Sequence, residues 1–215
     1  YGETVMKAIL YLVENSKKNG NGMLTVGPQS NGGVYEHGIA TYALGEMYAL
    51  ARMGKKQLPG MREAFEQGVE VVIARQKTDG GWRYFELESG DSDNSDLSVT
   101  GWQYQALKAA KLTELKIPNL EQSIDKAVAY LRSRQNVKAA PDSPTGGFGD
   151  RNLTRPYNHH AMTGIAIVGL QTLDKSGSRP QVKMGLDFTM QMFKAQPPDW
   201  DTNCNVYAWY YYTQA

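Results

Sequence analysis

Hydrophobic and polar positions alternate in two distinct ways along this chain. Met61, Ala64, Phe65, Val69, Val72 and Ile73 recur at helical period and form one apolar stripe, as do Leu120, Ile124, Ala127, Val128 and Leu131. Segments 36–50, 96–110, 159–173 and 204–215 are instead apolar nearly all round. A helix with one stripe lies at the outside of a fold, and a helix apolar on every side lies within it. Asn119, with Gln122 three residues on, has the form of a capping box ahead of the second stripe.

The two patterns repeat. Ser16, Gln76, Gln135 and Gln196 each end an amphipathic segment, and by subtraction they stand 60, 59 and 61 residues apart. A turn with a large apolar residue follows each: "GNGM" at Met23, "DGGW" at Trp82, "TGGFG" at Phe148 and "PPDW" at Trp200. The all-round apolar segment comes next. Outer and inner helices in alternation predict an all-α fold, an α/α toroid (a double-layered helical barrel) of about four hairpin repeats, with residues 1–215 as one domain. The links from outer to inner helix run about 15 to 25 residues, and links of that length are usually functional.

Composition narrows the function. The formal charge of +1 gives no footprint for nucleic acid. The longest apolar run, 161–170, is too short to span a bilayer. One cysteine, Cys204, cannot make an internal disulfide and sets no compartment. The sequence opens at Tyr1 and reads as a piece of a longer protein whose other domains are expected partners. The final "VYAWYYYTQA" predicts a sticky aromatic edge on an incomplete ring.

Gln76 with Gly80 and Trp82 matches the glutamine–tryptophan repeat of cyclases, and Tyr130-Leu131 with Gln135 fits it too. With "DLSVTGWQYQALKAA" and "YEHGIATYAL", these residues resemble the terpenoid cyclase/protein prenyltransferase superfamily. The likeness is greatest to its bacterial squalene–hopene cyclase-like proteins of prenyltransferase and squalene oxidase repeats. The resemblance covers the whole chain. It implies the toroid, and a full family ring has more helices than the eight predicted here.

In family cyclases an Asp-x-Asp-Asp motif at the start of an inner helix protonates the substrate. Alignment of helix starts sets Asp93, Asn94, Ser95 and Asp96 on that motif, with Ser95 in place of the proton-donating aspartate. A serine hydroxyl cannot supply a carboxyl proton to an alkene. The residues allow three readings: Asp93 and Asp96 as remaining catalytic acids, Ser95 or Asp96 as an N-cap accepting backbone amides, or Asp91, Asp93 and Ser95 as alternating oxygen ligands of a cation. The zinc site of prenyltransferases needs Asp, Cys and His converging. His159, His160, Asp201 and Cys204 are present, but the family's Asp-x-Cys spacing falls on Asn203 and Asn205, so no metal and no cofactor is expected.

"RPYNHH" at 155–160 offers Tyr157, Asn158, His159 and His160 for general acid–base work or ligand contact, and Asn158-His159 partly resembles a motif of toroidal polysaccharide lyases. Equivalent inner-helix positions read as His37, Leu97, His160 and Asn205 at the mouth, with Thr41, Gly101, Gly164 and Trp209 one turn deeper. Tyr42, Trp102, Tyr104, Tyr207, Trp209 and Tyr210 make the lining aromatic, able to stabilise cations, stack on sugars, or simply fill space. The expected ligand set is therefore His37, Thr41, Tyr42, Trp102, Tyr104, Tyr157, Asn158, His160 and Trp209, around a small-molecule, lipid or glycan ligand. The resemblance, with Ser95, implies a non-catalytic binding or structural module. Its rivals are an isoprenoid cyclase or prenyltransferase-like enzyme and a carbohydrate-active toroid such as a polysaccharide lyase.

Overall fold

A computed structural model describes residues 2–19, 22–25, 33–55, 58–84, 95–137, 145–149, 156–174 and 177–215, with the side chains of 156–160 outside the description. The fold is all-α. Among the described residues there are eight helices: α1 (Gly2–Lys18), α2 (Gly33–Met53), α3 (Met61–Ala74), α4 (Leu97–Leu112), α5 (Leu120–Ser133), α6 (Pro156–Leu173), α7 (Arg179–Ala195) and α8 (Val206–Tyr212). The even helices pack in chain order, α2 on α4, α4 on α6, α6 on α8. The odd helices flank them: α3 on α2 and α4, α5 on α4 and α6, α7 on α6, and α1 against α3 and α2.

The two hydrophobic patterns sort as their periods require. α3 and α5 bury only their stripes, anchored by Phe65 and Val69 in one and Ile124 and Leu131 in the other. α4 is buried around most of its surface, and α6 is buried without a break from Met162 to Leu170. Glycine lets the even helices approach closely. A Cβ at Gly38 would fall 2.4 Å from Gln103 Nε2, one at Gly101 2.8 Å from Ile165 Cγ2, and one at Gly164 2.9 Å from Tyr211 Cβ. These three contacts align Gly38, not Thr41, with Gly101 and Gly164. The first step in the inner helices is thus one turn longer than the spacing of the outer helices suggests.

The turns after α3 and α5 carry the same bonds. Gln76 Nε2 donates to Gly80 O of its own turn and to Ser123 O in α5, each at 2.9 Å. Gln135 Nε2 donates to Gly146 O at 3.1 Å and to Gln181 O in α7 at 2.8 Å. Each glutamine thereby ties its turn to the next odd helix. Gly80 (φ 92°) and Gly146 (φ 102°) are left-handed and lie against that helix, where a Cβ would meet Lys126 O at 2.3 Å and Met184 O at 2.4 Å. Trp82 N then donates to Thr100 Oγ1 at 3.0 Å, and Phe148 N to Thr163 Oγ1 at 2.9 Å.

The first turn follows a variant of this scheme. Leu24 N donates to His37 Nδ1 at 2.9 Å, two residues after left-handed Gly22 (φ 72°). Leu24 rather than Met23 therefore corresponds to Trp82 and Phe148. Ser16 bonds back to Val13 O within α1, and Asn19 Nδ2 holds the turn through Met23 O and Thr25 O. After α7, Trp200 is 71% exposed and meets Trp209 edge-on at 4.8 Å, whereas Trp82 and Phe148 are fully buried.

The starts of α3 and α5 also match each other. Leu58-Pro59-Gly60 and Ile117-Pro118-Asn119 make turns whose last residue is left-handed (Gly60 φ 76°, Asn119 φ 61°), closed by Met61 N on Leu58 O and Leu120 N on Ile117 O. Asn119 makes no side-chain cap bond, so the capping box does not form. Proline with a positive-φ residue starts the helix instead. At the other end of the chain, α8 buries Ala208 and Tyr211 and leaves Val206 and Tyr210 exposed. Among the described residues no helix is long and apolar enough to cross a membrane.

Candidate functional site

The acidic turn ahead of α4 is built around Ser95. Its hydroxyl donates to Asp79 Oδ1 at 2.6 Å and its amide to Asp79 Oδ2 at 3.1 Å. Its carbonyl accepts the Tyr130 hydroxyl at 2.8 Å, and its side chain is fully buried. Asp79 also accepts Gly81 N, so one carboxylate pins the turn after α3 to the start of α4. Asp96 occupies the N-cap position of α4, is buried, and makes no side-chain cap bond, while its amide donates to Trp82 O. The expectation of Ser95 or Asp96 as a side-chain cap is thus corrected: Ser95 is a donor to Asp79. Asp91, Asp93 and Asn94 lie outside the described residues, as do the side chains of Tyr157, Asn158, His159 and His160. Among the described residues no three His, Cys, Asp or Glu side chains gather as a metal site, and Cys204 is exposed.

Three of the expected ligand residues are held by the fold. His37 is buried, with Nδ1 on Leu24 N and Nε2 2.9 Å from Gly68 O. The amide can only donate and the carbonyl can only accept, so the neutral ring carries its proton on Nε2. Burial lowers its pKa to about 4, aided by the charge of Arg75 and opposed by the Gly68 carbonyl. Thr41 is fully buried beside the same ring, 3.4 Å from Nε2. Tyr104 is also fully buried and donates to Ile165 O at 2.6 Å, and burial holds its phenol well above the usual value.

The other aromatic positions gather around Trp102 on α4. Its ring lies 6.5 Å from Tyr42 and 6.2 Å from Tyr35, both on α2, and 6.0 Å from Tyr210 and 6.1 Å from Tyr211, both on α8. Tyr84 stacks on Tyr35 at 5.6 Å, and its hydroxyl meets Ser98 Oγ at 3.1 Å. Tyr207 crosses Tyr211 at 5.5 Å. Tyr42 is pushed up to about 12 by burial, then by the neighbouring Glu46 and Tyr210. Tyr207 and Tyr211 are pushed far higher, chiefly by burial, then Tyr207 by Tyr211 and Tyr211 by Tyr104, with the Tyr207 hydroxyl opposing the rise at Tyr211. Trp209 stands apart from this group, with its ring on Trp200.

Trp102 Nε1 and both ends of the Gln105 carboxamide are buried without a hydrogen-bond partner among the described residues. The Tyr35, Tyr207 and Tyr211 hydroxyls are near neighbours, with Tyr207 interacting with both of the others. Tyr35, Tyr84, Tyr211 and Gln105 were not among the residues expected from the sequence. Gln105 shares α4 with a second carboxamide, Gln103, so the sequence did not single it out. The others depend on which helices meet.

A separate hollow of about 740 Å³ lies between the end of α2 and the start of α3. Two of its cations are engaged, Arg52 by Thr113 O and Arg62 by Glu66. Comparison with protein-family models, with curated proteins and with solved structures finds no match to this chain.

Proposed function

We propose that the chain is a cyclase-like α/α-toroid domain that serves a larger bacterial protein as a non-catalytic binding or structural module. The observation that carries this reading is Ser95. At the position where the family resemblance calls for a proton-donating aspartate, the hydroxyl is buried and committed to Asp79. A proton donor to an alkene needs a carboxyl group facing substrate, and Ser95 has neither the group nor the exposure. The toroid is supported by even helices packed in chain order with odd helices against them. A binding role draws support from the aromatic cluster around Trp102.

Product analysis with squalene and with shorter isoprenoids tests the absence of catalysis. No turnover is expected. Turnover that disappears in Asp93→Asn or Asp96→Asn overturns the reading and makes the chain an isoprenoid cyclase that uses another carboxylate.

A further inference from the structure

We propose that the hollow between α2 and α3 binds a phosphorylated small molecule. The site stands apart from the aromatic cluster and adds a ligand that the reading above does not name.

The hollow holds about 740 Å³, within the roughly 300–1,000 Å³ of ordinary small-molecule sites. Arg52 and Lys55 line it from the end of α2, and Arg62 and Glu63 from the start of α3. Three cations thus share the hollow with one carboxylate. Cations are ordinary at the end of a helix, as on α2, but unfavourable at the start of one, as on α3. Lys17 of α1 brings a further ammonium to that corner, where a Cβ on Gly60 would stand 3.6 Å from its Nζ. The positive charge there exceeds what the helix ends call for, and an anion in the hollow would offset it.

The three cations can act together. The Arg52 guanidinium is held by Thr113 O and keeps most of its N–H donors. Arg62 pairs with Glu66 at 3.0 Å, but its side chain is 59% exposed, and an exposed pair of this kind holds weakly. The Lys55 ammonium has no partner among the described residues. Its backbone is left-handed (φ 52°), which is uncommon for a residue with a Cβ.

The chemistry of the lining selects the ligand. One guanidinium fork satisfies a planar carboxylate. Two guanidinium groups and an ammonium, converging from two helix ends, suit an anion with several oxygens and more than one charge. Bare phosphate would leave most of the hollow to water, and Tyr48, Leu58 and Pro59 offer walls for an organic part. The Tyr48 ring is steadied by Phe65, 6.0 Å away. Nucleic acid would call for a basic stripe and a strongly basic chain, whereas here one concave corner is basic and the formal charge is +1. The phosphate belongs either to a soluble ester or to a lipid headgroup.

Titration calorimetry at low salt with glucose 6-phosphate and AMP tests the proposal, with glucose and adenosine as unphosphorylated controls. Cosedimentation with phosphatidylcholine vesicles, with and without phosphatidic acid, forms the lipid arm. Saturable binding of a phosphorylated probe is expected, absent with the controls and weakened by added salt. Lys55→Gly and Arg62→Gln should each weaken it about tenfold, through loss of a charge-assisted hydrogen bond. Lys55→Gly should melt no lower than the wild type, because glycine accepts the left-handed backbone, so its lost binding is not unfolding. Binding of the soluble esters assigns the site to a free phosphate ester, and binding of phosphatidic acid vesicles alone assigns it to a lipid headgroup. Binding of neither overturns the proposal and leaves the non-catalytic reading standing. Binding that survives both substitutions sets the anion elsewhere on the protein and overturns the proposal as well.

Discussion

Acidification should weaken this fold through His37 at a higher pH than through Asp174 or Asp199. The ring is 1% exposed and uses both nitrogens on backbone groups, in the one tautomer that fits them. A second proton would add an Nδ1–H facing the Leu24 N–H, donor against donor, in a site with little water. Burial is the main reason the pKa falls from 6.5 to about 4. In the unfolded chain the ring keeps its ordinary value. Between the two pKa values the unfolded chain therefore binds a proton that the folded chain does not, and stability rises with pH. The contribution is complete above about pH 6.5 and is lost as pH falls toward 4. A shift of about 2.5 units, at about 1.4 kcal/mol each, is worth about 3 kcal/mol, of which roughly 2 is lost between about pH 7 and about pH 4.5. Asp174 and Asp199 are held below the usual carboxylate value, chiefly by hydrogen bonds from Ser178 and Thr202, so their losses come at lower pH. Urea unfolding followed by tryptophan fluorescence at the two pH values gives the wild-type loss. His37→Asn retains an acceptor for Leu24 N–H and cannot titrate. It should be less stable at neutral pH but lose roughly 2 kcal/mol less on acidification. Equal losses in the two proteins, or a measured His37 pKa near 6.5, would refute the buried neutral ring.

Trp82→Ala should cost about 3–5 kcal/mol, since the ring is fully buried and its indole donates to Val72 O, whereas Trp200→Ala should change stability by less than about 0.5 kcal/mol. Denaturant titration checks both, and similar costs for the two would contradict the different burial of these tryptophans. Ser95→Ala should cost about 1–3 kcal/mol through the lost bond to Asp79, and Ser95→Asp should cost more by setting a second carboxylate against the first. A Ser95→Asp protein as stable as the wild type would disprove that contact. Tyr42, Tyr104, Tyr207, Tyr211 and Tyr212 are all raised, chiefly by burial, so the folded protein holds their protons longer than the unfolded chain and loses stability as pH climbs past about 10. Phenolate absorbance should show these five ionising only with unfolding, and titration of every tyrosine as one class near pH 10 with the fold intact would count against the cluster.

The sequence by itself determined the helices and their two kinds of surface, because a 3.6-residue period is a local property. Met61 to Val72 and Leu120 to Leu131 are the buried stripes of α3 and α5, and 162–170 is buried without a break. It also marked the turns at Gln76 and Gln135, where glycine is required by a left-handed backbone pressed on the next helix. Tertiary structure decided the register between repeats. Spacing counted along the outer helices paired Met23 with Trp82 and Thr41 with Gly101, but the links vary in length. A hydrogen bond from Leu24 N to His37 and the close approach at Gly38 set the alignment instead. It likewise decided which chemistry is spent and which is left over. Ser95, His37 and Tyr104 looked available in one dimension, yet each is consumed by a partner far along the chain: Asp79, Gly68 or Ile165. Tyr35, Trp102 and Tyr211 carry no mutual signal in sequence, because their meeting depends on how α2, α4 and α8 pack. Periodicity fixes which face of a helix is apolar, and only packing fixes which other face it meets.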